Sequence, residues 1–181
     1  MPERVLLVGF MASGKSTAGK ELASRLGWDF EDFDAVIAAR AGKSVFQIFR
    51  EDGETEFRRL ESGVAEELLA RNDTVVASGG GWPAQPGAWK MVTEDTMSVW
   101  LKVSPAVAVR RASEQGPTRP LLEGENVRKR VADLFLSREA SYRRAGYALD
   151  SEQYGPQELA DKIVELMKGE SDSTSKEQKN R

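Results

Sequence analysis

The stretch GFMASGKST, residues 9–17, decides the fold, because it directly follows the apolar run VLLV at residues 5–8. The pattern G-x-x-x-x-G-K-[ST] between a strand and a helix is typical of a phosphate-binding loop. Backbone N–H groups of such a loop surround a phosphate, and the dipole of the following helix adds to the attraction. We expect Lys15 to reach the β- and γ-phosphates and the Ser16 hydroxyl to bind Mg²⁺. The loop predicts a nucleotide-binding protein and leaves open what accepts the phosphate.

Outward from the loop, strand patterns alternate with helix patterns along most of the chain. This alternation predicts an α/β fold, in which helices cover both faces of a parallel sheet. We expect one domain over residues 1–168, an exposed loop at about 113–125, and a disordered polar tail over residues 169–181. The predicted strands are residues 5–8, 28–34, 74–78, 97–103 and 147–150, and the predicted helices include one that begins at Ser44 and others over 105–112, 127–143 and 156–168.

Composition excludes several kinds of chemistry. The 181 residues include no cysteine and no histidine, so disulfides, thiolate or imidazole metal sites and cysteine or histidine catalysis are excluded. A net charge of −3 argues against a nucleic-acid partner. No signal peptide or membrane-spanning run is evident, and we expect a cytoplasmic enzyme.

Two carboxylates, Asp32 and Asp34, follow the first predicted helix in the segment FEDFD. If this segment is a strand, residues i and i+2 lie on one face and both side chains point at one crevice. The strand TVVAS ends in Ser78 without an acid where many phosphate-loop proteins carry one. Asp32 is therefore the candidate for binding Mg²⁺ through water, and Asp34 for accepting from a substrate hydroxyl. The alternative is a solvated acidic strand end.

Arginines further along the chain indicate an acidic substrate. Arg58 lies in FRRLE on a predicted helix, and Arg138 precedes Tyr142 by one turn on another. A guanidinium aimed at a pocket grips a carboxylate through two hydrogen bonds. Each arginine, taken alone, could equally be a solvated side chain. Arg119 lies in the predicted loop, from which it could close onto the transferring phosphoryl group.

The segment SGGGW, residues 78–82, follows a buried strand. Three glycines allow a ligand to approach the backbone closely, although a tight turn would use them too. Trp82, directly after the glycines, is bulky for the edge of a pocket.

The motifs GFMASGKST, FEDFD, FRRLE, SGGG, RPLL and SREASY occur in this order. Together they resemble the shikimate kinases, in the nucleoside-monophosphate-kinase-like branch of phosphate-loop proteins. The resemblance covers residues 5–167. It implies a three-layer α/β/α sandwich with a central five-stranded parallel sheet, the P-loop kinase fold with a mobile lid. It also implies phosphorylation of the 3-hydroxyl of shikimate by ATP with Mg²⁺, a step of aromatic amino-acid biosynthesis, and such kinases are often monomeric.

The resemblance implies a role for each matching residue. Lys15, Asp34 and Arg119 would be catalytic, with Asp34 orienting the attacking hydroxyl. Ser16 and Asp32 would serve the metal, Asp32 through water. The ATP-binding residues would be Gly9, Ala12, Ser13, Gly14, Lys15, Ser16, Thr17, Arg111, Arg119 and Pro156, with Arg111 and Pro156 on either side of the adenine. The substrate-binding residues would be Asp34, Phe49, Phe57, Arg58, Glu61, Gly79, Gly80, Gly81 and Arg138.

Two other functions are compatible with the phosphate loop. One is a gluconate-type or nucleotide kinase. A panel of acceptors would distinguish it, because loss of Arg58 and Arg138 should matter only for an acceptor that carries a carboxylate. The other is a nucleotide-binding regulatory domain without catalysis, against which the presence of every expected catalytic residue argues.

Overall fold

A computed structural model describes residues 1–114 and 126–178, with side chains as far as Gly169. Its five parallel strands form one sheet in the order β2-β3-β1-β4-β5, which confirms the predicted parallel α/β architecture. The strands are β1 (Arg4–Val8), β2 (Asp29–Asp32), β3 (Thr74–Ala77), β4 (Thr96–Lys102) and β5 (Tyr147–Asp150).

Helices cover both faces of the sheet, and two hydrophobic cores result. Alternate residues of β1 serve opposite faces: Val5 and Leu7 belong to one core, and Leu6 and Val8 to the other. A strand buried on both faces has a continuous run of apolar residues, and residues 5–8 could therefore be predicted as a strand from the sequence. Within the described residues the helices are α1 (Lys15–Leu26), α2 (Phe33–Ala41), α3 (Val45–Glu51), α4 (Gly53–Leu68), α5 (Pro105–Glu114), α6 (Val127–Tyr142) and α7 (Pro156–Gln178).

The segment at residues 28–34 differs from the prediction. We expected one strand that carries both aspartates, but β2 ends at Asp32 and helix α2 begins at Phe33. The side chain of Asp32 causes the change, because its Oδ1 accepts from the backbone N–H groups of Asp34 at 3.0 Å and Ala35 at 3.4 Å. This is the helix N-cap for which aspartate is preferred. The strand-face argument for the two carboxylates was therefore wrong.

Helix α7 is longer than predicted. It continues through Gln178, whereas we expected it to end at Lys168 and the polar tail over residues 169–181 to be disordered. The segment contains no proline after Pro156 that would end the helix, although residues 169–175 include glycine, serine, aspartate and threonine, which have low helix propensity. Helix α5 runs to Glu114 and includes the first two residues of the loop predicted at 113–125. The rest of that loop, with Arg119, lies outside the described residues. No helix of the described ranges is long and apolar enough to span a membrane.

Candidate active site

A cavity of about 760 Å³ lies at the carboxyl ends of β1, β2 and β3. In open parallel sheets this is the end at which ligands bind. The cavity brings the phosphate loop together with both aspartates and both arginines, which come from distant parts of the chain. The predicted residues that line it are Ala12, Ser13, Gly14, Lys15, Ser16, Thr17, Asp32, Asp34, Phe49, Arg58, Gly80 and Arg138.

The phosphate loop ends at the start of α1. Gly14 is the N-cap of this helix and provides no side-chain cap, so N–H groups of the first turn remain available to an anion. The Lys15 Nζ donates to the carbonyl oxygens of Gly9 and Phe10, both at 2.9 Å. The ammonium group is thereby held against the loop, where a bound phosphate would lie.

Ser16 and Asp32 meet beside the loop. The Ser16 hydroxyl donates to Asp32 Oδ2 at 2.6 Å, while Oδ1 of the same carboxylate caps α2. Hydroxyl and carboxylate oxygens are the hard ligands that Mg²⁺ prefers. The pair therefore fits the predicted metal site, since the cap fixes the carboxylate next to the hydroxyl.

Asp34 lies in the first turn of α2 and faces the glycine segment. A Cβ placed on Gly79 would approach Glu61 Oε1 closely and lie 3.3 Å from Asp34 Oδ1. Only glycine leaves room for two carboxylates at this point. Burial raises the pKa of Glu61, and the charge of Asp34 raises it further, whereas Arg58 lowers it.

Arg58 and Arg138 converge on Gly81 from different helices. A Cβ at Gly81 would lie 2.9 Å from Arg58 Nη2 and 3.1 Å from Arg138 Nη2. Arg58 is oriented by Glu61, whose Oε2 accepts from Nη1 at 2.6 Å while the carboxylate is only 1% exposed. Two guanidinium groups at one wall of a cavity form a site for a carboxylate.

Aromatic side chains lie in the part of the site that contains Arg58. The Phe49 and Phe57 rings lie 4.4 Å apart between centroids, with Phe49 partly exposed and Phe57 buried. Trp82 does not obstruct the pocket. Its indole is 2% exposed and packs edge-on against Phe33 at 5.5 Å, so the bulky residue after the glycines belongs to the core beneath the site.

The residues expected around the adenine lie outside this cavity. Arg111 donates to the carbonyl oxygen of Ser151 at 2.6 Å and to that of Ala12 at 3.4 Å. It thus joins the phosphate loop to the segment after β5, from which Pro156 begins α7. Arg119, predicted to contact phosphate, falls outside the described residues.

Sequence reasoning missed several lining residues. Glu54 Oε1 accepts from Arg58 Nε at 3.3 Å and Nη2 at 3.2 Å, a contact that the i, i+4 spacing on α4 could have revealed. The hydroxyl of Ser78 is buried without a hydrogen-bond partner in the described chain. The others have no such local pattern, and the cavity's additional lining residues are Met11, Val45, Phe46, Glu54, Ser78 and Leu134.

Comparison with known proteins identifies the family. A family model described as shikimate kinase matches residues 11–168 of this chain. The chain belongs to the shikimate kinase family. As a member it is an ATP-dependent kinase, and the resemblance noted in the six sequence motifs is confirmed.

Individual relatives of the shikimate kinase family agree over most of their length. The shikimate kinase of Chlorobium chlorochromatii is 39% identical over 179 residues, covering 92% of this chain and 94% of the relative. That of Moorella thermoacetica is 36% identical over 168 residues, covering 93% and 96%.

Solved structures agree in the same way. Shikimate kinase from Acinetobacter baumannii, in complex with shikimate, superposes with a TM-score of 0.87 at 33% identity, covering 94% of each chain. A gluconokinase from Sinorhizobium meliloti has a TM-score of 0.58 at 18% identity, covering 94% of this chain and 98% of the other. The second likeness shows the shared fold alone.

Proposed function

We propose that this chain transfers the γ-phosphoryl group of ATP to the 3-hydroxyl of shikimate, giving shikimate 3-phosphate and ADP. The observation that carries the proposal is the meeting of Arg58 and Arg138 at Gly81, in the cavity that also contains the phosphate loop. This arrangement supports an acceptor with a carboxylate at one end and a hydroxyl that reaches the phosphate at the other. A ring acid with several hydroxyl groups has this form.

The two ends of the cavity bind different parts of the substrates. Lys15 and the N-terminus of α1 hold the phosphates, and the two arginines hold the carboxylate of the acceptor. Asp34 accepts from the attacking hydroxyl and directs its oxygen toward the γ-phosphorus. Phosphoryl transfer depends mainly on positioning and on neutralising charge, which this set of side chains supplies without histidine.

Ser16 and Asp32 are the residues that would hold Mg²⁺, Asp32 through water. When bound with ATP, the metal neutralises charge on the β- and γ-phosphate oxygens. The support is the 2.6 Å contact between the hydroxyl and the carboxylate. Arg119, outside the described residues, completes the proposal as the phosphate-contacting residue of a lid over residues 113–125.

The remaining features of the proposal concern the setting of the enzyme. We propose a monomer in the cytoplasm, without nucleic-acid or membrane partners. The net charge of −3 supports the absence of a nucleic-acid partner. Light scattering at assay concentration should give a mass near 20.0 kDa, and a mass of twice this value would contradict the monomer.

A coupled assay with ATP, Mg²⁺ and a panel of acceptors tests the activity. We expect ADP release with shikimate and only background release with gluconate or nucleoside monophosphates. Lys15→Ala and Asp34→Asn should each lower kcat by at least about a hundredfold, because each removes a group that acts on the transferring phosphoryl group or the nucleophile. Activity undiminished in Asp34→Asn would contradict the assigned mechanism, and tight ATP binding without turnover of any acceptor would favour the regulatory alternative.

Neighbouring arginines provide a matched test of carboxylate recognition. Arg58→Ala should raise the KM for shikimate at least about tenfold, since a hydrogen-bonded charge is lost from the site. Arg59→Ala is the control, because Arg59 is 69% exposed and pairs with Glu56 on the surface. Equal effects of the two substitutions would show that Arg58 does not bind the acceptor.

A further inference from the structure

Tyr142 is a buried titratable residue that the proposed mechanism does not use. It ends helix α6, is fully buried, and lies 6.0 Å from the Trp100 ring between centroids. Its side chain does not line the active-site cavity, yet its hydroxyl points toward the glycine segment behind it.

The hydroxyl of Tyr142 donates to the carbonyl oxygen of Gly80 at 2.5 Å. The neighbouring carbonyls are satisfied locally, that of Gly79 by Trp82 N–H at 3.1 Å and that of Gly81 by Ala84 N–H at 3.2 Å. The carbonyl oxygen of Gly80 thus receives its donor from another element, helix α6.

Arg138 lies one helical turn earlier on α6, and its guanidinium lies on the same glycine segment, with Nη2 3.1 Å from a Cβ placed on Gly81. Burial raises the pKa of Tyr142 to about 12, while the positive charge of Arg138 opposes the rise. The hydroxyl is therefore protonated at working pH. The neutral hydroxyl thus keeps the proton that it donates to the Gly80 carbonyl oxygen.

We propose that Tyr142 is a positioning residue for the acceptor: its hydroxyl fixes the Gly80 peptide, and with it the adjoining Gly81 backbone against which the guanidinium groups of Arg58 and Arg138 lie. The inference rests on the proposed function in assigning Arg138 to the acceptor carboxylate. Arg58 is in addition oriented by Glu61. Without the hydroxyl, both arginines keep their charge, and the glycine segment beside them loses the donor that fixes it.

Tyr142→Phe removes only the oxygen, and Tyr154→Phe is the matched control. Tyr154 is half-buried and packs in the other core, beneath Lys162. We expect Tyr142→Phe to raise the KM for shikimate about fivefold or more, the loss expected for a buried hydrogen bond. The KM for ATP and kcat should stay within about twofold of wild type. An unchanged KM for shikimate overturns the proposal, as does an equal rise in both KM values.

Reduced folding of the variant does not obscure this result. KM is independent of the concentration of active enzyme, whereas a lower native fraction reduces only the apparent kcat. A variant with a lower Tm and an unchanged KM for shikimate would show that Tyr142 acts only on stability, which also overturns the proposal.

Amide hydrogen exchange in the protein without ligands gives a readout that does not depend on the identity of the acceptor. We expect faster exchange at Trp82 and Ala84, whose N–H groups donate to the carbonyl oxygens of Gly79 and Gly81, in Tyr142→Phe and no change there in Tyr154→Phe. Unchanged exchange overturns the positioning role whatever the enzyme phosphorylates. Faster exchange in a protein that does not turn over shikimate would support the positioning of the segment and contradict the proposed function.

Discussion

Glu61 places a carboxylate where its two oxygens meet different surroundings. Oε2 accepts from Arg58 at 2.6 Å, while Oε1 is buried without a hydrogen-bond partner among the described residues and faces Gly79. A buried acceptor left unsatisfied costs stability. Glu61 therefore orients Arg58 but lowers the stability of the folded state.

The pH dependence of stability should reveal this cost. The pKa of Glu61 is raised above the ordinary value of 4.5 by burial, so the folded protein binds this proton more tightly than the unfolded chain does. The resulting stabilisation is present below pH 4.5 and is lost as pH rises through the raised pKa. We expect the free energy of unfolding of wild type, relative to Glu61→Gln, to fall as pH rises from 4.5, measured by urea unfolding.

Glu56→Gln is the control for the pH experiment. A hydrogen bond from Arg59 lowers the pKa of Glu56, so its stabilisation is present at higher pH and is lost as pH falls through the lowered pKa. Relative to the variants, the stability of wild type should fall with rising pH above 4.5 because of Glu61, and rise with pH below 4.5 because of Glu56. A stability difference between wild type and Glu61→Gln that does not change above pH 4.5 would contradict the assignment for Glu61.

At the scale of elements, the N-terminus of α2 depends on one carboxylate with two tasks. Asp32 caps the helix with Oδ1 and accepts from Ser16 with Oδ2. The cap turns the chain out of β2 and brings Asp34 into the first turn of the helix. The position of Asp34 is therefore a consequence of helix capping and not of strand alternation.

Two substitutions at Asp32 should separate its tasks. Asparagine is as good an N-cap as aspartate, so Asp32→Asn should keep the stability of wild type and require more Mg²⁺ for half-maximal activity. Asp32→Ala should lose the same metal response and in addition about 1 kcal/mol of stability. Urea unfolding and Mg²⁺ titration of the assay measure the two effects. Equal stability of the two variants would contradict the capping role.

Elements marked by a short sequence pattern could be predicted, whereas contacts between residues far apart in the sequence could not. Ser44 and Gln47 form the capping box expected at the start of α3, with Gln47 N–H donating to Ser44 Oγ at 3.2 Å and Ser44 N–H to Gln47 Oε1 at 2.9 Å. Helix α2 was missed because it buries only Phe33 and Ile37 and so shows little amphipathic pattern. The Tyr142–Gly80 contact joins positions 62 residues apart, and no local pattern encodes it.

At the scale of the whole molecule, the two ends of the sheet have different tasks. The carboxyl ends of the strands carry the cavity, and the amino ends are tied together by Arg4, which is 5% exposed. Its guanidinium donates to the carbonyl oxygen of Arg71 at 2.8 Å, to Asn72 Oδ1 at 2.9 Å and to Thr96 Oγ1 at 3.2 Å. Arg4 thereby links the start of β1 to the chain around the starts of β3 and β4.

Arg4→Met should separate stability from activity. The loss of several buried hydrogen bonds to a charged group should lower the free energy of unfolding by roughly 3 kcal/mol. KM and kcat, measured well below the unfolding temperature, should stay within about twofold of wild type because the cavity is at the other end. Lys129→Met is the control, since Lys129 is 78% exposed and should change neither quantity. A raised KM in Arg4→Met would show that the two ends are coupled.

The central place of β1 in the sheet has a consequence for synthesis on the ribosome. Its neighbours are β3 and β4, whose pairing begins at Thr74 and Thr96. The nascent chain therefore carries an unpaired apolar strand until both partners have emerged, a state in which exposed strand edges favour aggregation. Pairing at such sequence separation is also slow. We expect the phosphate loop to become competent for nucleotide only after β4, which follows it by about 80 residues, has been translated.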